Sequence, residues 1–435
     1  MAGFHAAASK LYRQGLPWLE DFKASGRAIW DSTSLPTRKT EAWKYTSVRA
    51  LERGGFAVPA ANDDRPVEDL ADRYRIAGLD AATLVFVNGH YSSTLSDLSL
   101  PDGIEVVRFS DATADESAVI KQHLGTVVDA KSHLFAALNA SWTTDGVFVR
   151  VSRPVEQPLQ LVWLTLPQSE SFAVSQRLLV VMDAGSSATL VEHYVSSDEA
   201  QNSFTNGTTE IVIGDGARLR HYRLHLEEEH ALHIGGVHID LHRDARLEGF
   251  HLALGGTLKR IDVEINHRGE GAECVLDGVY LPRHDQTVDY HTNVQHRVPR
   301  CNTTETFRGI VADNAKAVFN GRIHIHPDAQ KTRAELSNKN LLTSDKAEVD
   351  TKPELEIYAD DVQCAHGATV ARLDEQAVFY LVSRGIARQD AQVMLSFGFI
   401  NELVERLQDD AIAGYLRPVL AEMFGRGGLG GSGTV

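Results

Sequence analysis

Cysteine is scarce. The 435 residues contain three: Cys274, Cys301 and Cys364. An odd number at wide spacing excludes a disulfide framework. With no Cys-x-x-Cys pair, a self-contained zinc ribbon or a thioredoxin-type site is excluded too. Any metal chemistry must draw on isolated thiols, histidines or carboxylates. Positive charge is also short, 43 Lys and Arg against 59 Asp and Glu, a net charge of −16. Such a surface repels phosphate backbones and anionic lipid, so neither nucleic acid nor a membrane is expected as a partner. Long apolar runs are missing. Leu84–Val87 and Leu178–Met182 are typical, against the ~20 residues that span a bilayer. No apolar block of signal-peptide length follows Met1, which predicts a soluble, cytoplasmic protein. There is no GxxxxGK[ST] loop, so the chain is not expected to hydrolyse nucleotides by itself.

Hydrophobic residues make up 43% of the chain, enough for a large core and two or three domains. Residues 1–146 read as a mainly helical N-terminal region. Phe4–Phe22 mixes apolar and charged residues at helical spacing, Leu35–Leu51 forms a second unit after Pro36, and 54–70 reads as a loop. Thr83–Asn88 reads as a buried strand turning at Asn88-Gly89, and 111–140 is helical again. From 147 to about 370 the apolar period becomes two: Val237, Ile239 and Leu241 alternate with His238 and Asp240, as do Ile261, Val263 and Ile265 with Asp262 and Glu264.

A small residue after a turn recurs at Ala188, Ala217, Ala245 and Ala272, and more loosely at Ala315 and Ala347. Repetition of strand and turn at a fixed period favours a β-helix, with an antiparallel sandwich as the alternative. Past 371 the period returns to 3.6. Asp374 is placed to cap a helix that ends at Gly385. In the next helix Leu395, Phe399, Leu403 and Leu407 form one stripe and Phe397, Ile400 and Val404 another, wide enough either to close a three-helix core or to leave a face for a partner. Residues 371–425 thus form a C-terminal helical domain, and 426–435 read as a disordered tail.

Several motifs resemble the SufB/SufD family of iron–sulfur cluster assembly scaffold proteins. They are Asn338-Lys339-Asn340-Leu341-Leu342, Val349-Asp350-Thr351-Lys352-Pro353, Leu355 to Val362, Cys364-Ala365-His366-Gly367-Ala368-Thr369, and Ser383-Arg384-Gly385 after Phe379-Tyr380-Leu381. Upstream, Arg38 to Tyr45, Leu138-Asn139 and Asp145-Gly146 also match. The Cys-x-His-Gly-Ala-Thr element puts the resemblance on the SufD branch. It implies a right-handed parallel β-helix between helical ends, and a complex with a SufB-like paralogue and the SufC ATPase, supplied with sulfur by a cysteine desulfurase system. It also implies a transient iron–sulfur cluster shared with the partner. Whether the chain alone pairs with itself, and whether a reduced flavin joins the assembled complex, stay open.

Cys364 and His366 are the candidate metal-binding residues. Two apart on a strand, they emerge on one face, and thiolate and imidazole are the ligand types that hold cluster iron. A cluster needs about four ligands, so the remainder would come from across an interface. Other constellations carry less. His324 and His326 lack the nearby glutamate of a cupin site. The six histidines from His221 to His242 read as solvated polar residues, and Gly214-Asp215-Gly216 and Gly255-Gly256 read as turns. The rival is a β-helix carbohydrate-active enzyme, disfavoured by the missing signal and by aromatics at only 7%.

Overall fold

The computed structural model describes residues 4–13, 15–59, 74–197 and 200–425. The predicted tail 426–435 and most of the predicted 54–70 loop lie outside them. Among the described residues, ten strands form one sheet and nine another. Successive turns of one coil feed the two sheets alternately. Leu258–His267 pairs in parallel with Leu232–Leu241 before it and Thr287–His296 after it. Glu273–Leu281 pairs likewise with Arg246–Leu254 and Asn302–Val311. This is a parallel β-solenoid; the antiparallel alternative is excluded.

The coil corners explain the small-residue period. Gly185, Gly216, Asp244, Gly271, Arg300 and Lys331 all have positive φ. Each is followed by a small buried residue: Ser186, Ala217, Ala245, Ala272, Cys301 and Thr332. The left-handed residue turns the chain, and the small one fits beneath it. Glycine takes this conformation freely, whereas other residues incur a cost of about 1–2 kcal/mol. Three of the expected repeat positions belong elsewhere. Ala188 lies inside the strand Ser187–Ser196. Ala315 and Ala347 precede the paired strands Lys316–Ile325 and Glu348–Ile357 at the opposite corner.

The solenoid begins before residue 147. Ala82–Val87 pairs in parallel with Leu159–Thr165 and turns through Asn88 and Gly89, both at positive φ, into the antiparallel His90–Tyr91. That is the two-residue hairpin such a dipeptide favours. The helix read over Phe4–Phe22 is two helices, Phe4–Lys10 and Glu20–Ser32. Pro17, which cannot donate to a helix interior, opens a 3₁₀ turn between them.

Helices cover the outer face of both sheets. Trp30, Phe135 and Trp142 pack on Phe204, Ile234 and Leu258 of the nine-stranded sheet. Ile400, Leu403 and Leu416 pack on Leu224, Leu252 and Val279 of the ten-stranded sheet. Phe397, Phe399 and Leu407 also lean onto this cluster, so both stripes of the helix Arg388–Glu405 face the coil. As expected, Asp374 accepts from the Gln376 amide (2.8 Å) at the start of Glu375–Val382, and Gly385 has a φ of 88°.

This cover reverses one expectation. Along Arg218–Leu226 the apolar residues Tyr222 and Leu224 point outward under the helices. The polar half, His221, Arg223 and His225, therefore shares the inward side with Leu219, and all three are buried. His233 and His238 are buried as well, so four of the six histidines read as solvated are enclosed.

Candidate functional site at the open end of the coil

Glu348–Ile357 and Gln363–Arg372 are the last strands of their sheets, and among the described residues nothing pairs with their outer edges. Their side chains are half-buried or exposed, in contrast to every preceding turn. The two edges differ chemically. Glu348–Ile357 carries Glu348, Asp350, Lys352, Glu354 and Glu356 together with Pro353, the devices that discourage strand addition. Gln363–Arg372 has Arg372 as its single permanent charge and no proline. It is a bare edge.

Cys364 and His366 both lie on that strand. In register they stand beside Ala334 and Leu336, which are core residues, so they sit on the coil's inward face. Among the described residues no further turn covers them. His366 is exposed, and Cys364 is half-buried against the core. Burial raises the Cys364 thiol above its ordinary value, with the neighbouring Ala334 backbone pulling the other way. The strand rise sets the two residues roughly 6.6 Å apart along the chain, close enough for both side chains to reach a single ion. Asp360 and Asp361 stand at the corner that leads in, where the Asp361 carbonyl accepts from the Lys331 amide.

Below the pair the interior turns polar. The Asn338-Lys339-Asn340 motif points both asparagines inward. The Asn338 amide donates to the Tyr280 hydroxyl (2.9 Å), Tyr280 donates to Asn340 (2.6 Å), and the Thr351 hydroxyl donates to Asn338 (2.9 Å). Two columns run down from the site. His366 lies over Leu336 and then Glu305; Cys364 lies over Ala334, Thr303 and then Cys274. Glu305 is fully buried, and burial pushes its pKa up to about 7 against the opposing pull of the Thr292 hydroxyl. Sequence reading passed over Glu305, because a glutamate among threonines reads as a solvated strand face.

Beside the open end, the helix Glu375–Val382 exposes Phe379 (72%), Tyr380 (55%) and Val382, and Met394 is exposed on the next helix. The exposed large apolar side chains of this domain are therefore here and not on the two stripes predicted from spacing.

The Arg38–Tyr45 motif serves a different place. It closes a cleft of about 450 Å³ over the nine-stranded sheet. Arg260 lies over the Trp43 ring, donates to the Ala42 carbonyl (2.8 Å) and pairs with Asp289 (2.7 Å). His133 faces Glu264 and Asp262 across the same cleft. These paired charges fasten the N-terminal segment to the coil. His324 and His326 stack at 4.2 Å on the outer face, with His324 3.4 Å from Glu356.

Comparison with known proteins agrees with this architecture. Residues 165–399 match the family model described as SUF system FeS cluster assembly, SufBD core domain, and 2–161 match the SufBD protein N-terminal region. The chain is 35% identical over 382 residues to the iron-sulfur cluster assembly protein SufD of Escherichia coli, covering 87% of each chain. It is 29% identical to a SufBD family protein of Synechocystis sp. over 91% of this chain and 89% of that one. It is 27% identical to SufD of Bacillus subtilis over 93% of each. With both family models spanning its helices and coil, the chain belongs to the SufBD family of SUF-system iron–sulfur cluster assembly proteins.

Proposed function

We propose that this chain is a scaffold subunit, not a catalyst, on which an iron–sulfur cluster is built at an interface with a SufB-like paralogue. The observation that carries this reading is the unfinished last turn. The coil ends in a bare strand edge, and the thiol and imidazole suited to cluster iron lie on the turn whose outer edge is unpaired among the described residues. A second solenoid placed against that edge would satisfy its backbone groups and bring the ligands Cys364 and His366 lack. The cluster is cargo, shared and then released.

In this reading three regions divide the work. The N-terminal helices brace the coil, the coil to about 370 carries the assembly site, and 371–425 dock the SufC ATPase through Phe379, Tyr380, Val382 and Met394. Nucleotide hydrolysis by that partner would shift the two scaffold chains and open the interface. A cysteine desulfurase system would supply the sulfur. The setting is the cytoplasm; among the described residues no helix is long and apolar enough to cross a membrane.

The test is co-expression with the SufB-like and SufC partners. A stable complex should co-purify, and His366→Ala should stop cluster maturation while leaving the complex assembled. Normal maturation in that variant removes His366 from the site. Failure of the wild-type chain to be retained by either partner removes the scaffold reading.

A further inference from the structure

One corner of the coil, two turns in from the open end, gathers soft ligands that the assembly site does not use. His267 and His296 are register partners, each the last residue of its strand. Their rings stack at 4.3 Å and 14°. Cys301 occupies the small-residue column at the adjoining corner, directly after Arg300. One candidate ligand atom from each of the three lies within 4.8 Å of the others, and all three residues are fully buried.

The hydrogen bonding of this group is incomplete. The Thr303 hydroxyl lies 2.9 Å from His267 Nε2 and 3.1 Å from His296 Nε2. One hydroxyl has one proton, so it donates to one ring and accepts from the other. The Nδ1 atoms of both rings are buried without a partner. One ring therefore encloses an unpaired N–H and the other an unpaired lone pair, an arrangement that folded proteins rarely leave unanswered. Cys301 Sγ has only two long contacts, 3.4 Å each, to the Gly269 and Pro299 carbonyls.

We propose that His267, His296 and Cys301 form an interior site for a divalent first-row transition ion of the zinc or ferrous kind, which clips two successive turns of the coil together. Imidazole and thiolate are both ligand types that zinc and iron accept, with zinc–nitrogen distances of about 2.0–2.1 Å and zinc–sulfur of about 2.3 Å. To reach them the side chains close by on the order of 1 Å and one imidazole turns out of the stack so that both lone pairs converge on the ion. On binding, the ion replaces the Cys301 thiol proton, which leaves to solvent.

A second buried group, His225, Glu227 and His233, has similar spacing. There the Lys259 ammonium lies 2.7 Å from Glu227 and already fills the place of a cation. The corner at Cys301 has no such occupant among the described residues.

The site is sealed, so the ion is loaded during expression in cobalt-supplemented medium. The chain carries Cys364→Ala and His366→Ala to silence the open end. The expected result is one equivalent of Co²⁺ with a thiolate-to-cobalt charge-transfer band, and X-ray absorption showing one sulfur and two imidazole neighbours. Cys301→Ala should abolish the band. Its neighbours in the column are Ala272 and Thr332, so alanine suits that corner and the variant should fold. Bound cobalt without sulfur ligation, a band that survives Cys301→Ala, or a chain free of metal would each overturn the proposal. None of these outcomes depends on the partner proteins, so the assembly reading stands or falls separately.

Discussion

His133 lies 3.4 Å from Glu264, and through that contact the start of the helix Leu134–Trp142 is fastened to the outer face of the nine-stranded sheet. Burial opposes the imidazolium, but hydrogen bonds and charge from Asp262 and Glu264 outweigh it and push His133 up to about 10. A pKa raised above the ordinary 6.5 means a contribution fully present below that value and lost as pH climbs through about 10. At pH 7, His133→Gln should cost about 1–3 kcal/mol. Urea midpoints of parent and variant should converge in alkaline buffer; a constant gap would show that the charge is not what fastens the helix.

Glu305 gives a pH signature of the same sign in a lower window. Its carboxyl is raised from 4.5 to about 7 by burial, so the folded chain holds a proton that the unfolded chain has released. Stability should fall as pH rises from about 4.5 to 7 and level off above, by about 3 kcal/mol from this group. Glu305→Gln should remove that fall. Denaturation of the variant at pH 5 and pH 8 reads the difference directly.

Arg223 and Glu192 form a wholly buried pair, 3.5 Å apart. Burial works against the Glu192 carboxylate, yet Arg223 and His221 hold it well below the ordinary carboxylate range, and Tyr194 and Thr209 donate to it at 2.9 and 2.7 Å. Removing one partner strands the other. Arg223→Met should cost about 3–5 kcal/mol, and adding Glu192→Gln should recover much of that loss. Chemical unfolding of the single and double variants provides the cycle.

Phe379 and Tyr380 contribute little to the fold, because both are largely exposed. Phe379→Ser with Tyr380→Ser should shift stability by no more than about 0.5 kcal/mol. The same variant should weaken retention of the ATPase partner in a pull-down. Undiminished retention would move the docking surface elsewhere.

The parts of the fold legible in sequence were those set by local chemistry. Asn88-Gly89 forces its turn, Asp374 caps its helix, and a small residue after a left-handed corner marks each turn of the coil. The motif pair Cys364 and His366 could be placed on one strand face from spacing alone. The misreadings were tertiary. His221 and His225 lie inside because helices distant in sequence claim the outward face of their strand, and alternation does not reveal which half points in. Ala315 follows a turn just as Ala272 does, but at the other corner, since two corners contribute to one sequence period. Glu305 and the grouping of His267, His296 and Cys301 arise from stacking of turns, which brings together residues about thirty apart with no motif to announce them.

The open last turn has a mechanical consequence. Interior turns have a strand partner on both sides, whereas among the described residues Gln363–Arg372 pairs with a strand on one side only, Arg333–Leu342. In a stack where each layer leans only on its neighbours, fraying starts where a neighbour is missing. Hydrogen exchange should therefore be fastest at this strand and slow progressively inward, and a chain that seats itself there would stiffen the very segment on which the thiol and imidazole ride.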